Sequence, residues 1–361
     1  FAFGQLWWGL TQPFAGAFAD RVGAGRVLLI GVCLVALGTI LTPLMTSTVG
    51  LVFAIGVLAA GGAGMAGPSV LMAATTRMLP AEKRGMATGI VNAGGSFGQF
   101  IMAPVAAGLT AALGWATSMQ VLGLIVLLAL PAAWVLRGNS SAAATSAPAG
   151  VAGGPAPARE GTRAAITRAL ADPSYRLLAC GFFVCGFHVA FLATHLPNVV
   201  AMCGLPPAVS AWSLGLLGLF NSVGSLAMGW AVGRWRMKSL LSLVYAARAI
   251  AVLVFLLSPK TATTMLIFAA VMGLTYLSTV PPTAGLVAKF FGPANMATLF
   301  GIVMLSHQIG GFTGAWLGGK VFTMTGSYDT IWIIDILLAV GAALVHMPIK
   351  EAALPPKVQP A

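Results

Sequence analysis

The chain has 361 residues, of which 58% are hydrophobic and only 7% are charged, and its mean hydropathy is +0.95. Soluble globular proteins carry about a quarter charged residues, so this composition excludes a soluble domain and indicates many membrane-spanning helices. The net charge of +12 resides in short loops and at the ends of apolar runs, without an aromatic and basic stripe, so we expect no nucleic-acid partner.

Eleven apolar runs are each long enough for a membrane-spanning helix, which needs about 20 residues. Five precede a long middle segment and six follow it, at residues 1–19, 27–45, 49–76, 85–112, 116–136, 176–202, 207–233, 239–258, 262–288, 295–319 and 330–348. Because the chain starts with Phe1 inside an apolar run, we expect its natural N-terminus to be missing. Four cysteines share no metal-ligand spacing with the four histidines, so we expect no disulfide, metal or cofactor.

The turn between the first two spans carries charges between spaced glycines. Residues 16–26 read Gly16-Ala-Phe-Ala-Asp20-Arg21-Val-Gly23-Ala-Gly-Arg26. Glycine lets helix ends approach closely, a carboxylate can accept hydrogen bonds from the N-terminus of a neighbouring helix, and arginines suit anionic lipid headgroups. The loop therefore predicts either a contact between helix ends or a merely solvated turn.

This loop resembles the signature loop between the second and third helices of the major facilitator superfamily of secondary transporters. The resemblance implies an all-α membrane protein with two pseudo-symmetric six-helix bundles, the first helix being absent from this sequence. It also implies that a set of loop residues acts as a conformational switch, namely Gly16, Asp20, Arg21, Gly23 and Arg26.

An internal repeat supports the two-bundle architecture. Residues 229–238 occupy the same turn in the second half, with an offset of 213 from Gly16 to Gly229. Met86-Ala-Thr-Gly89-Ile-Val91 is echoed by Met296-Ala-Thr-Leu-Phe-Gly301-Ile-Val303, with an offset of 212 from Gly89 to Gly301. Such parallel repeats place a substrate site near the midplane between the halves. Gly233 stands where the first copy has its Asp, so any switch chemistry rests on Asp20.

We therefore predict an N-terminal bundle at residues 1–136, a cytoplasmic linker at 137–173, a C-terminal bundle at 174–349 and a cytoplasmic tail at 350–361. The Ala, Gly, Pro and Ser residues between Asn139 and Pro157 predict disorder, and the basic stretch after them predicts a short amphipathic surface helix. Lys and Arg crowd into one set of alternate loops, which the positive-inside rule places in the cytoplasm. We expect a monomeric, lipid-embedded, multi-pass protein of the inner membrane.

Two charged residues lie within spans, where a charge costs about 2.5 to 3.5 kcal/mol on insertion scales. Arg248 is near mid-depth and suits a substrate carboxylate through two hydrogen bonds, the alternative being an internal pair or contact with backbone carbonyls. Asp335 is nearer the outer end of the last span, and we favour a structural role for it.

Neutral polar residues supply the other site candidates. His188 and His195 share one helix face, and they or His307 suit a coupled proton because histidine titrates near neutral pH, the alternative being packing. Asn92 and Gln99 belong to a polar stripe that lines a cavity or bonds helices together. The candidate substrate-binding residues are His188, His195, Arg248, His307, Gln308, Asn92, Gln99 and Asn221.

Within the superfamily, residues 82–98 with Pro104 and Gly114-Trp115 are similar to the fifth helix of the monocarboxylate transporter and oxalate/formate antiporter group. In the second half, three segments are similar to bacterial members of that group, namely Thr279-Val-Pro281-Pro-Thr-Ala-Gly285, Ser306-His307-Gln308-Ile-Gly310 and Gly326-Ser-Tyr328. This implies alternating-access transport of a small organic anion, often with a proton, and no catalytic residues. The group's substrate-binding Arg is expected on the eighth helix, whereas here Arg248 stands on the ninth.

Two other functions are alternatives. The many Phe, Met and Trp residues favour an exporter of drugs or other hydrophobic compounds. A non-transporting membrane sensor or an integral enzyme would be the third class, but the sequence contains no catalytic triad, metal-ligand cluster or appended soluble domain.

Overall fold

The computed structural model describes residues 2–136 and 161–353 of the chain. All regular structure in these residues is helical, which confirms the predicted all-α class. The helices are α1 (Ala2–Val22), α2 (Ala24–Leu41), α3 (Thr48–Leu51) followed by a π-helical segment (Val52–Ala59), α4 (Ala60–Met65), α5 (Pro68–Met78), α6 (Ala81–Val126), α7 (Leu130–Val135), α8 (Thr162–Ala171), α9 (Pro173–Met202), α10 (Pro207–Val232), α11 (Met237–Leu257), α12 (Ala262–Thr275), α13 (Val280–Phe291), α14 (Met296–Thr325) and α15 (Asp329–His346).

Each predicted span is mostly helical in the structure. Within the described ranges, nine stretches have the length and hydropathy of a membrane span. One of these, Glu82–Val135, contains two predicted spans, which turn at Gly114 (φ 75°), a conformation that only glycine adopts easily. The helix α1 is not among the nine, although it covers the first predicted span.

The predicted span at residues 262–288 is broken in the middle. Helix α12 ends at Thr275 and α13 begins at Val280, directly before Pro281 and Pro282. Proline has no N–H and tolerates only the first turn of a helix, so the pair starts a new helix rather than continuing the old one. We call residues 276–279 the α12–α13 break.

The predicted linker helix is present as α8, with Ala165 and Ala169 buried and with contacts to α9 and α14. The Ala- and Pro-rich segment predicted to be disordered and Arg159 lie outside the described residues, as does most of the tail. The division into domains stays a prediction.

The two halves meet mainly along two helix pairs, α1 with α14 and α6 with α10, and α5 also contacts α14 and α6 contacts α13. One end of the molecule carries the loops with Arg21, Arg26, Arg77, Arg84, Arg234, Lys238 and Lys289, and we call it the basic end. The main buried apolar cluster crosses between the halves near this end and includes Ala15, Val70, Tyr175, Met237, Val287 and Phe300.

Helices α6 and α10 touch only over the part nearest the basic end. A Cβ added at Gly229 would lie 2.7 Å from the carbonyl oxygen of Gly85, so the two backbones are in direct contact there. Further along, a Cβ at Gly218 would meet only the Ser96 oxygen, at 4.0 Å, and one at Gly215 would meet no atom within 4 Å. Helices α6 and α10 are therefore in contact at the basic end and diverge towards the opposite end.

Candidate functional site

Asp20 joins the end of α1 to the start of α14. Its Oδ2 accepts hydrogen bonds from the Thr298 backbone N–H at 2.9 Å and from the Thr298 hydroxyl at 2.6 Å, and Oδ1 accepts one from Ala297 N–H at 3.3 Å. The first N–H groups of a helix have no partner within the helix, and a negative charge there is stabilised by the helix dipole. Asp20 thus acts as a cap on a helix of the other half.

Arg77, one of the basic residues in the alternate loops, completes this contact. It lies in the last turn of α5, forms an ion pair with Asp20, and donates to the carbonyl oxygens of Pro293 at 3.1 Å and Ala294 at 2.9 Å. The structure therefore ties α1, α5 and the loop before α14 together at the basic end. No sequence signal beyond its charge distinguished Arg77 from its neighbours.

The predicted switch residues have different positions. A Cβ at Gly16 would collide with the backbone of Ala297, so this glycine permits close contact between α1 and α14. Gly23 ends the loop with a positive φ of 95°. Arg21 and Arg26 are exposed at the basic end, where they contact solvent or headgroups.

Nearer mid-depth, α1 and α14 are joined by a chain of amide groups. Gln308 is buried and its Nε2 donates to Oε1 of Gln5 at 2.6 Å. The Gln308 Oε1 accepts from Nδ1 of His307 at 2.7 Å, which fixes the proton of that imidazole on Nδ1. Two of the predicted site residues are thus brought to the interface between the halves.

The pair α6 and α10 is joined by two buried asparagines that also hold the α12–α13 break. Asn221 donates to Ser96 Oγ at 2.6 Å and its Oδ1 accepts from Leu277 N–H at 2.9 Å. Asn92 donates to Ser225 Oγ at 2.7 Å and to the Leu277 carbonyl at 3.0 Å. The N–H and the carbonyl of Leu277 therefore each bond to a side-chain amide, one from each half of the chain, and the carbonyl also accepts from Val280 N–H at 3.0 Å.

We call these interface groups the polar belt, defined as Gln5, Asn92, Ser96, Asn221 and Gln308. Its members form hydrogen bonds that cross between the halves above the basic end. Gln99, also predicted for the site, is exposed one turn beyond Ser96 and lies outside the belt.

Arg248 lies behind the break, inside the second half. It is fully buried, and its Nη2 donates to the carbonyl oxygens of Thr275 and, at 2.6 Å, of Tyr276. Carbonyls at the end of α12 lack helical partners and attract a cation. The observed contacts match the second of the two interpretations of Arg248, contact with backbone carbonyls.

His188 connects Arg248 to the last helix. Its Nδ1 is 3.5 Å from Arg248 Nη1, and its Nε2 is 3.2 Å from the backbone oxygen and 3.1 Å from Oδ1 of Asp335. All three side chains are at most 1% exposed. Asp335 thus shares one buried cluster with both predicted residues, which sequence spacing alone did not indicate.

His195 is separate from both groups. Its Nε2 lies 2.9 Å from the Ala315 carbonyl and its Nδ1 lies 3.1 Å from the Tyr328 hydroxyl, which also accepts from Asn198 at 3.0 Å. Both ring nitrogens are engaged within the second half. The arrangement is that of a packing residue joining α9, α14 and α15.

A cavity of about 550 Å³ opens beside the belt, between α1, α2 and the π-helical segment. Its wall is apolar except for Gln5 and Thr48, and includes Phe3, Trp8, Leu51 and Ile55. Within residues 2–136 and 161–353, no three His, Cys, Asp or Glu side chains come together as a metal site would require.

Comparison with known proteins gives the following matches. The family model described as Major Facilitator Superfamily matches residues 1–315 and, in a second match, residues 203–360. Monocarboxylate transporter 13 of Rattus norvegicus is 24% identical over 348 residues, covering 93% of this chain and 76% of that protein. The uncharacterized MFS-type transporter YcxA of Bacillus subtilis is 23% identical over 352 residues, covering 94% and 82%.

Among solved structures, the E. coli fucose:proton symporter FucP has the same fold, with a TM-score of 0.73 and 13% identity. The match covers 96% of this chain and 90% of that protein. At this identity the likeness concerns the arrangement of helices alone.

Proposed function

Because the chain belongs to the major facilitator superfamily, and is therefore a multi-pass membrane transporter and not an enzyme, we propose that it carries a small organic anion of the monocarboxylate type. Transport proceeds by alternating access across the inner membrane, driven by a proton or by exchange. The relatives named monocarboxylate transporters support the substrate class, and the fold neighbour named a proton symporter is compatible with proton coupling.

The observation that carries this proposal is the position of the polar belt. Its groups pair across the interface, Gln5 with Gln308 and Ser96 with Asn221, near the middle of α10 and α14. Buried polar groups need hydrogen-bond partners, so separating the halves must replace these pairs with water or with substrate. Amide N–H groups are suitable donors for carboxylate oxygens.

Arg248 provides the positive charge for an anion. Its guanidinium lies behind Tyr276, on the side of the break away from Asn92. In a low-dielectric interior a charge acts over several ångströms, so it favours an anion near Leu277 without touching it. Direct contact would require the carbonyls of Thr275 and Tyr276 to be released first.

The Asp20 cap closes one side of the proposed pathway. The positive-inside rule places the basic end in the cytoplasm, so the described arrangement corresponds to a state open to the outside. Release of Asp20 from Thr298, together with its Arg77 partner, accompanies the opening of the cytoplasmic side.

Binding to the purified protein tests the substrate class. Titration with lactate, pyruvate and formate should quench tryptophan fluorescence or raise the melting temperature, and neutral sugars and cationic dyes should not. Asn221→Leu, which removes the amide but keeps a branched side chain, should weaken binding, whereas Ser258→Ala, directly after α11, should not. Absence of any monocarboxylate effect would contradict the proposal.

The apolar cavity beside α1 favours a second candidate, an exporter of hydrophobic compounds. Phe3, Trp8 and Ile55 offer apolar contacts, and Gln5 links this wall to the belt. Efflux of lipophilic cationic dyes from cells that produce the protein, together with a lack of monocarboxylate binding, would support this candidate over the first.

A further inference from the structure

The buried carboxylate of Asp335 has no role in the polar belt. It is fully buried on α15, and within the described part of the chain neither of its oxygens has a hydrogen bond of good geometry. Nε2 of His188 lies 3.1 Å from its Oδ1. Charged groups within a membrane are costly and mark functional positions such as proton relays.

Arg248 decides which nitrogen of His188 carries the proton. Every N–H of a guanidinium is a donor, so Nη1, 3.5 Å from Nδ1, requires that Nδ1 be the acceptor. The proton of the neutral imidazole is therefore on Nε2, which points at Asp335. A second proton on this ring would place an N–H against the permanently charged guanidinium.

The geometry points to Asp335 as a proton-binding site of this transporter, with His188 and Arg248 as positioning residues. The Arg248 charge blocks the second proton on His188, so the added proton binds to the carboxylate. When Asp335 is ionised it balances the charge of Arg248, and when it is protonated the cluster carries one net positive charge. The inference rests on the proposed function, since it names the site of the coupled proton.

A continuous chain of contacts connects this proton to the interface between the halves. Asp335 contacts His188, His188 contacts Arg248, and Arg248 donates to the Tyr276 carbonyl at the α12–α13 break. The next residue, Leu277, is held by Asn221 and by Asn92 of the other half. When Asp335 is protonated, the Arg248 charge interacts only with the carbonyls of the break. Its hydrogen bonds to these carbonyls then strengthen, which changes the stability of the contact between the two halves.

Other titratable groups surround the cluster, and each has partners of its own. Cys185 on α9 is 3.1 Å from Thr279 and 3.7 Å from Arg248. Tyr245 on α11 donates to the Gly181 carbonyl, and Tyr276 at the break donates to the Val189 carbonyl, both at 2.7 Å. On α14, His307 has its Nδ1 proton committed to Gln308. Of the titratable groups named here, Asp335 is the one carboxylate.

Infrared difference spectroscopy of the lipid-reconstituted protein tests this site. Lowering the pH should produce the carbonyl stretch of a protonated, buried carboxylic acid in the wild-type protein. The band should be lost in Asp335→Asn and retained at a shifted frequency in Asp335→Glu, which guards against misfolding. The matched control is Asp329→Asn, the same change at an exposed position on the same helix, which should keep the band.

A band that survives in folded Asp335→Asn, or that never appears in the wild type, overturns the proton site. Transport separates this outcome from failure of the proposed function. If Asp335→Asn loses uptake driven by a pH gradient but keeps exchange of labelled for unlabelled lactate, the inference is supported. If the wild type shows the Asp335 band but no monocarboxylate flux, the proton site stands and the substrate class is wrong.

Discussion

Asp20 of α1 caps the first turn of α14 through Thr298, so that one carboxylate joins the two halves of the chain. The repeat contains the matching contact without the charge. Gly16 packs on Ala297 and Gly229 packs on Gly85, pairs related by offsets of 213 and 212 residues, while Gly233 takes the place of the Asp. The interface is thus symmetric in packing and asymmetric in electrostatics.

We expect Asp20→Asn to loosen the start of α14. Asparagine keeps an acceptor oxygen but loses the negative charge, which a helix N-terminus favours by about 0.3–1 kcal/mol, so the amides should exchange up to about fivefold faster. Hydrogen–deuterium exchange of the peptide that contains Ala297 and Thr298 measures this directly. Glu82→Gln removes a carboxylate from an exposed position at the same end and should leave that exchange unchanged. Equal rates in both variants would contradict the cap.

Arg77→Gln should reduce the transport rate and speed amide exchange in the loop before α14. The reason is that Arg77 holds Asp20 together with the Pro293 and Ala294 carbonyls. Arg21→Gln, at an exposed position in the same end of the molecule, should have a much smaller effect. A larger effect from Arg21 would show that the switch works through headgroup contact instead.

Gly229→Val should destabilise the closed state, because α6 and α10 cannot approach when a side chain stands between them. A Cβ there would lie 2.7 Å from the Gly85 oxygen, and overpacking of this kind costs about 1–3 kcal/mol. Gly215→Val on the same helix has no atom within 4 Å of its Cβ and should be tolerated. Melting temperatures of the two purified variants make the comparison, and equal values would contradict the contact.

Asn92→Leu should impair both stability and transport, since it removes the hydrogen bonds to Ser225 Oγ and to the Leu277 carbonyl, which keeps only the Val280 N–H. Loss of a hydrogen bond costs about 0.5–1.5 kcal/mol. Gln99→Leu, at an exposed position two turns further along α6, should change little. Thermal unfolding and lactate exchange in liposomes check the pair. A stronger effect at Gln99 would place the substrate path on the other side of α6.

Much of this arrangement can be predicted from the sequence, and the parts that cannot are contacts that depend on tertiary packing. Charge and glycine spacing indicated a contact between helix ends at Asp20, but not that its partner is Thr298, far along the chain. Helical periodicity put His188 and His195 on one face, yet it could not show that one meets Arg248 and the other Tyr328. Spacing fixes a direction around a helix axis, and the neighbour in that direction depends on packing and on the break before Pro281.

Arg77 and Asp335 illustrate the same limit. Each is defined by a partner far along the chain, Asp20 for the first and His188 for the second. Such pairs form only when the bundle is assembled, so no local sequence pattern indicates them.

Uptake of radiolabelled lactate into proteoliposomes tests the central claim most directly. With an imposed pH gradient, we predict accumulation above that of protein-free liposomes, and its loss when Arg248 is replaced by Ala but not when exposed Arg21 is replaced by Ala. Uptake that ignores both the pH gradient and the Arg248→Ala change would contradict the account.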